Sequence, residues 1–250
     1  MVIPPLHRWT TTVARGRALQ ERLARGVRLE PLPEKIRRVA GADVAFDEGR
    51  GVFFASVILF SYPELQILED VSARHRPTFP YVPGMLSFRE GPVLIAAFRK
   101  LQQEPQAVLF DGQGIAHPRR LGLASHLGLW LEVPTVGCAK SRLLGEHDPV
   151  GLQAGSEVPL FDGEERVGSV LRTRAGLKPL FVSPGHRCDF EGAVRLVLSC
   201  CRGYRLPEPT RRADIRVAEV KRRFLARERA GSVGPAFARQ PALRKMNFSQ

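Results

Sequence analysis

A carboxylate that directly follows a short apolar run is the first candidate for chemistry in this chain. Ala107–Phe110 reads AVLF, a run typical of a strand covered on both faces, and Asp111 comes next. Gly112 and Gly114 then allow backbone to approach another molecule closely. Three residues suited to phosphate contact follow, namely His117, Arg119 and Arg120. Together they predict a metal-dependent site that cuts phosphodiesters, and an ordinary Asp-Gly turn is the alternative.

A second acid, Asp43, lies between apolar neighbours in a predicted strand over 38–46. A lone carboxylate there is costly to bury unless a positive charge meets it, although the side chain could instead point outward. In a mixed sheet the first and fourth strands are central neighbours, so Asp43 and Asp111 could converge on one cation. Oxygen ligands without sulfur or paired histidine predict Mg²⁺, with Mn²⁺ as a substitute, rather than zinc.

Two further acids are individually ambiguous. Ser87 and Glu90 match a capping box, S-x-x-E, but the Gly91-Pro92 pair is poor helix sequence, so the helix could begin later and leave Glu90 free to face the sheet. Asp214 falls one turn beyond a predicted cap at Thr210, where an acid also suits the helix dipole. The joint order of the four acids is more informative than any one of them. They fall in turn on a predicted strand, helix, strand and helix, as Asp43, Glu90, Asp111 and Asp214.

Hydrophobic patterning supplies the elements that would position these acids. Three strands at 38–46, 52–60 and 65–73, the first two forming a hairpin, precede alternating helices and strands. The order predicts an α/β fold, a ribonuclease H-like mixed sheet with three antiparallel strands and then parallel strands, flanked by helices. The remaining predictions are helices at 13–27, 87–102, 121–131, 189–202 and 210–227, the helix at 189–202 being capped by Asp189, and strands at 107–110, 135–138, 166–172 and 180–183.

The chain is predicted to form one domain over 1–228, followed by a basic tail over 229–250 that is rich in Gly, Pro and Arg. The loop at 146–163 suggests no role. Lys and Arg exceed Asp and Glu by 38 to 25, a net charge of +13, which favours a polyanionic partner. The four cysteines lack zinc or redox spacing, and no apolar run could span a bilayer, so we expect reduced thiols, no membrane partner and a cytoplasmic location.

Six ordered blocks of this sequence resemble the endonuclease V family, the deoxyinosine 3′ endonucleases of the ribonuclease H-like superfamily. The resemblance covers roughly residues 13–223. The blocks are AGADVAF at 40–46, PYVPGMLSFRE at 80–90, FDGQGIAHPRRLGLASHLG at 110–128, VPTVGCAKSRLLG at 133–145, VSPGHR at 182–187 and LPEPTRRAD at 206–214.

The resemblance implies an enzyme that recognises deaminated adenine in DNA and cleaves the second phosphodiester bond on its 3′ side, leaving 3′-hydroxyl and 5′-phosphate ends. Asp43 and Asp111 would bind Mg²⁺ directly, and Glu90 would act through a metal-bound water. His117 and Lys140 would attend the scissile phosphate, although His117 could be an ordinary loop residue and Lys140 a solvated strand end. Asp214 would belong to the active site in a less defined role.

The resemblance also implies a wedge that opens the duplex and a tight pocket for the extruded base. The wedge would be Pro80, Tyr81, Val82 and Pro83, stiffened by its prolines, with Tyr81 stacking on bases. A half-buried loop aromatic is the alternative for Tyr81. Glycines and one leucine would line the pocket, where backbone amides favour the oxygen of hypoxanthine over the amine of adenine. These lining residues are Gly84, Leu86, Gly112, Gly114 and Gly122.

Two other functions stay open. The fold tolerates an inosine-specific endoribonuclease that acts on inosine-containing RNA instead of damaged DNA. A noncatalytic nucleic-acid-binding protein would be expected to lack at least one of the acids, and this sequence has them all. We expect the protein to be monomeric.

Overall fold

The computed structural model describes residues 1–9 and 12–229 of the 250-residue chain. Its centre is an eight-stranded mixed sheet flanked by five helices. The strands are β1 Arg38–Asp47, β2 Val52–Ser61, β3 Ile67–His75, β4 Ala107–Phe110, β5 Thr135–Ala139, β6 Glu157–Asp162, β7 Glu165–Leu171 and β8 Leu180–His186. The helices are α1 Val13–Ala24, α2 Leu86–Phe98, α3 Leu123–Leu131, α4 Phe190–Ser199 and α5 Glu208–Arg229.

The strand order is β3-β2-β1-β4-β5-β8-β7-β6. β1, β2 and β3 pair antiparallel, whereas β4 lies parallel to both β1 and β5. The predicted ribonuclease H-like sheet, with β1 and β4 as central neighbours, is confirmed. Parallel β4 and β5 therefore both end at one edge of the sheet, next to the middle of β1.

Alternation along β2 divides the core between the two faces of the sheet. Phe53, Ala55, Val57 and Leu59 pack in the cluster that contains residues of α2 and α3. Ile58 and Phe60 pack on the opposite face with residues of α4, and Phe54 packs there against α5. Every residue of β4 is buried, as its unbroken apolar run predicts.

Neither alternative for the start of the second predicted helix holds, because Ser87 is not a cap and the helix does not begin late, and the predicted cap at Thr210 is wrong. α2 begins at Leu86 after Met85 and has no side-chain cap, and the Ser87 hydroxyl instead bonds His126 Nδ1 at 2.8 Å. α2 also continues through Pro92. α5 begins two residues before Thr210, whose hydroxyl donates to the Pro207 carbonyl. The Asp189 cap of α4 is confirmed by its bond from the Gly192 amide at 2.7 Å.

The loop at 146–163, left without a role, contains the edge strand β6. Only Leu160 of this strand is fully buried, and the strand contains Pro159, so the hydrophobic pattern is weak. The predicted tail at 229–250 starts one residue too early, because Arg229 still belongs to α5, and its part from residue 230 onward lies outside the described residues. Within 1–9 and 12–229, no helix is long and apolar enough to cross a membrane.

Candidate active site

Two acids meet where β1 and β4 run side by side. Ala42 is in register with Phe110, so the next residue on each strand is an acid, Asp43 and Asp111. Asp43 points to the face that α5 covers, because two residues earlier a Cβ on Gly41 would lie 2.0 Å from the Pro209 carbonyl oxygen. Only a glycine lets α5 cross the strand so closely.

Glu90 joins this acidic group from α2, which packs on the opposite face of the sheet from α5. Burial, then the charge of Asp43, raises the pKa of Glu90 to about 8, against the smaller opposing influence of Arg89. Burial, then the charge of Asp111, raises the pKa of Asp43 to about 7. Such shifts arise when carboxylates share a poorly hydrated site, and they mark a place where added positive charge would be stabilising.

Lys140 supplies one such charge. It directly follows β5, and its Nζ lies 2.5 Å from Asp111 Oδ2 and 3.8 Å from Asp214 Oδ2. Burial alone would lower the pKa of Lys140, but the bond to Asp111 and the surrounding carboxylates outweigh it and raise that pKa. Asp214 also contributes to the raised pKa of Asp43. The predicted residues Asp43, Glu90, Asp111, Lys140 and Asp214 therefore form one electrostatically connected group.

The donor chemistry of this group suits a hard divalent cation. Asp43 and Asp111 offer carboxylate oxygens from adjacent strands, and such oxygens are the ligands that Mg²⁺ and Mn²⁺ prefer. Within the described residues, no three His, Cys, Asp or Glu side chains lie close enough together to hold a metal ion. The ammonium of Lys140 lies on the Asp111 oxygen that a cation would use.

A cavity of about 430 Å³ opens beside the acids. Apolar wedge residues and glycine backbone form one part of its lining, and Asp111 and Lys140 form another. Among the predicted substrate-binding residues, the cavity is lined by Tyr81, Val82, Pro83, Gly84, Leu86, Gly112 and Gly122. Tyr81 is 69% exposed, so its ring is available to a ligand rather than packed in the core.

Pro80 and Gly114 are not part of this lining. Pro80 is exposed at the start of the wedge. Gly114 packs against β8, where its amide donates to Ser183 Oγ at 2.7 Å and a Cβ would lie 2.0 Å from the Pro184 carbonyl oxygen. The expectation that Gly114 faces the cavity is therefore wrong, since its missing side chain serves the packing of a loop on a strand.

His117 lines the cavity, but both of its ring nitrogens bond within the protein. Nε2 donates to the Gly84 carbonyl at 2.9 Å, and Nδ1 accepts from the Arg119 amide at 3.2 Å. Burial lowers the pKa of His117 to about 4, so the ring is neutral near neutral pH. In this arrangement His117 has no free nitrogen for a phosphate, which differs from the role that the sequence predicted.

Two residues without an assigned role, Gln20 and Arg205, make contacts at the site, and Arg119 and Arg120, expected to contact phosphate, bond within the protein instead. Gln20 and Arg119 bond to the Gly84 region. Arg205 donates to the carbonyl of Lys140 at 2.7 Å. Arg120 pairs with Asp162 and Glu165 of the β6–β7 hairpin, so its charge is already compensated. Their partners lie between 35 and 65 residues away in sequence, beyond the reach of local patterns.

Comparison with known proteins settles the family. The family model for endonuclease V matches residues 21–215 of this chain. The chain belongs to the endonuclease V family. The endonuclease V of Dehalococcoides mccartyi is 48% identical over 218 residues, which cover 87% of this chain and 98% of that protein.

Solved endonuclease V structures agree with the fold described above. The crystal structure from Streptomyces avermitilis is 41% identical, has a TM-score of 0.83, and covers 87% of this chain and 96% of that one. Endonuclease V from Ciona intestinalis, solved in complex with a DNA containing an inosine followed by a ribo-adenosine, is 27% identical with a TM-score of 0.76. That match covers 85% of this chain and 98% of the other. As an endonuclease V, this protein is a nuclease of the hydrolase class.

Proposed function

We propose that this endonuclease V is a Mg²⁺-dependent repair enzyme that recognises deoxyinosine in DNA. It hydrolyses the second phosphodiester bond 3′ to the lesion and leaves 3′-hydroxyl and 5′-phosphate ends. The observation that carries the proposal is the junction of a cavity with an acidic cluster, both of which include Asp111. The Ciona relative bound to inosine-containing DNA supports the choice of lesion.

The acidic cluster would hold the cation and position the attacking water. Asp43 and Asp111 would be the ligands of Mg²⁺, or of Mn²⁺ in its place, and Glu90 would complete the set. A bound Mg²⁺ would neutralise charge on the scissile phosphate and make water a better nucleophile. Glu90, whose pKa is raised to about 8, is suited to accept a proton at its carboxylate once positive charge lowers that pKa.

Lys140 would stabilise the negative charge that grows on the phosphate during cleavage. Its Nζ already lies 2.5 Å from Asp111 Oδ2, so release of that oxygen to a cation would turn the ammonium toward the cavity that Lys140 lines. A donor aimed at developing charge typically contributes about 10²–10³-fold to the rate.

The cavity would accept the extruded base. Leu86 and Ser87 line it from the first turn of α2, which has no side-chain cap, so backbone N–H donors are available there. Hypoxanthine offers an acceptor oxygen where adenine has an amine, and such donors favour hypoxanthine. The exposed Tyr81 ring would stack on a base left unpaired in the opened duplex.

RNA is the second candidate substrate. The Ciona complex places a ribo-adenosine directly after the inosine, which makes a ribose at that position a substrate feature worth testing here. An inosine-specific endoribonuclease would use the same acids and the same cavity. A noncatalytic binding protein is disfavoured by the connected acidic group.

Matched deoxyinosine and inosine strands of one sequence, incubated with Mg²⁺ or with chelator, test the proposal. Cleavage of the deoxyinosine strand with Mg²⁺ is expected, with loss of cleavage in Asp43→Asn and Asp111→Asn. Glu164→Gln, an exposed change in the β6–β7 turn, is the control and should cleave like the wild type. Preference for the RNA strand would favour the second candidate. Binding of either strand without metal-dependent cleavage would overturn both.

A further inference from the structure

The carbonyl oxygen of Gly84 accepts three side-chain hydrogen bonds. Arg119 Nη2 donates at 2.7 Å, His117 Nε2 at 2.9 Å and Gln20 Nε2 at 3.0 Å. Arg119 Nε also donates to Gln20 Oε1 at 2.6 Å, which closes a ring of contacts among Gln20, Arg119 and the carbonyl. We name Gln20, His117 and Arg119 the Gly84 clamp.

The clamp is unusually complete for a loop carbonyl. A carbonyl oxygen has two lone pairs, so three donors saturate it. Gln20 is fully buried on α1, where an amide without partners would be costly, and both ends of its amide are satisfied by the clamp. Gly84 has φ of 72°, a left-handed conformation that favours glycine, and a Cβ there would lie 2.9 Å from Arg119 Nη2.

The clamp lies at the junction of the wedge and α2. The wedge, which contains Tyr81, ends at Pro83, directly before Gly84. α2, which carries Glu90, begins two residues after Gly84. Fixing one carbonyl therefore constrains the loop that would enter the duplex at the point where it joins α2, a helix that is itself held by its packing in the core. The Gln20 amide also donates to the Leu121 carbonyl at 3.4 Å.

We propose that Gln20 is a positioning residue for lesion recognition, which acts with Arg119 by holding the wedge rigid while it opens the duplex. This inference rests on the proposed function. Opening a paired duplex costs free energy, and a flexible wedge would offset less of that cost than a rigid wedge. An inosine in single-stranded DNA is already unstacked and needs no such opening. Loss of the clamp should therefore impair cleavage of duplex more than cleavage of single strands.

Gln20→Met keeps the size of the side chain and removes its amide. Because a lost hydrogen bond of this kind corresponds to about a tenfold change in an equilibrium, we expect the duplex to single-strand ratio of kcat/KM to fall by about tenfold. Single-strand cleavage should stay within about threefold of the wild type on the same reasoning. Gln106→Met is the matched control, because that amide bonds the backbone of Arg37 and Arg38 at the opposite end of β4.

Arg119→Met is the second variant, for the case in which loss of the buried Gln20 amide prevents folding. It removes another member of the same ring and should lower the same ratio, whereas Gln106→Met should not. An unchanged ratio in a folded Gln20→Met protein, or equal losses on duplex and single strand, would overturn the inference. A wild-type protein that cleaves neither substrate would instead contradict the proposed function.

Discussion

Replacing Glu90 with glutamine should stabilise the metal-free protein, and more so as the pH rises. The folded chain holds the Glu90 proton up to a pKa of about 8, whereas the ordinary value is 4.5, so the unfolded chain releases it first. The stability that this protonated carboxyl contributes is complete below the unfolded value and is lost as pH rises through about 8. At about 1.4 kcal/mol for each pH unit between the two values, the loss is at most about 4 to 5 kcal/mol.

Urea unfolding in the presence of a chelator measures this effect. The free energy of unfolding of the wild type and of Glu90→Gln should be compared between about pH 5 and about pH 9. The slope of this free energy against urea concentration reports the surface area exposed on unfolding. Glu164→Gln, which changes an exposed acid, is the matched control and should follow the wild type. Near the acid end the wild type and Glu90→Gln should differ little, and the variant should become the more stable protein as the pH rises.

Parallel pH profiles for the wild type and Glu90→Gln would refute this reasoning, since they would show that Glu90 is not held protonated by its surroundings. Added Mg²⁺ provides a second comparison. A cation that binds the folded state stabilises it by mass action, so Mg²⁺ should raise the unfolding free energy of the wild type more than that of Glu90→Gln.

Three further predictions concern single positions. Lys140→Met removes the ammonium that contacts Asp111 and should lower kcat by about 10²–10³-fold with little change in DNA affinity. Single-turnover cleavage and equilibrium binding measure the two quantities. A loss of affinity alone would contradict the prediction. Tyr81→Ala should weaken binding to an inosine duplex by about 1 to 3 kcal/mol in a fluorescence titration and leave thermal stability nearly unchanged, because the ring is 69% exposed. Gly114→Ala should destabilise the fold by about 1 to 3 kcal/mol in urea unfolding, because a Cβ would collide with the Pro184 carbonyl, and wild-type stability would show that the loop can move.

The central sheet was predictable because β1 and β2 are long consecutive strands and β4 is a short, unbroken apolar run. β4 is buried throughout, and the turn between β1 and β2 joins them as the predicted hairpin. The convergence of Asp43 and Asp111 was predictable because β1 and β4 are neighbours in the predicted order of the sheet. β6 was not predictable, since an edge strand with one fully buried residue and a proline has little periodicity.

Contacts between distant residues explain what the sequence could not show at the site. The capping box at Ser87 was a sound local pattern, but His126 competes for the hydroxyl from 39 residues away. The partners of Gly84 come from α1 and from the loop before α3, so neither the neutral His117 nor the buried Gln20 could be assigned from local spacing. Gly114 was assigned to the cavity because a glycine permits close approach of a ligand. A glycine permits close approach of a neighbouring strand equally well, and local sequence does not distinguish the two.

An end-labelled cleavage map on a duplex with one deoxyinosine, with and without Mg²⁺, tests the proposed function most directly. The predicted result is a single nick at the second phosphodiester bond 3′ to the lesion, with a 3′-hydroxyl end, only when Mg²⁺ is present and absent in Asp111→Asn. Cleavage at other positions, cleavage of undamaged duplex at the same rate, or a nick that persists in chelator would contradict it.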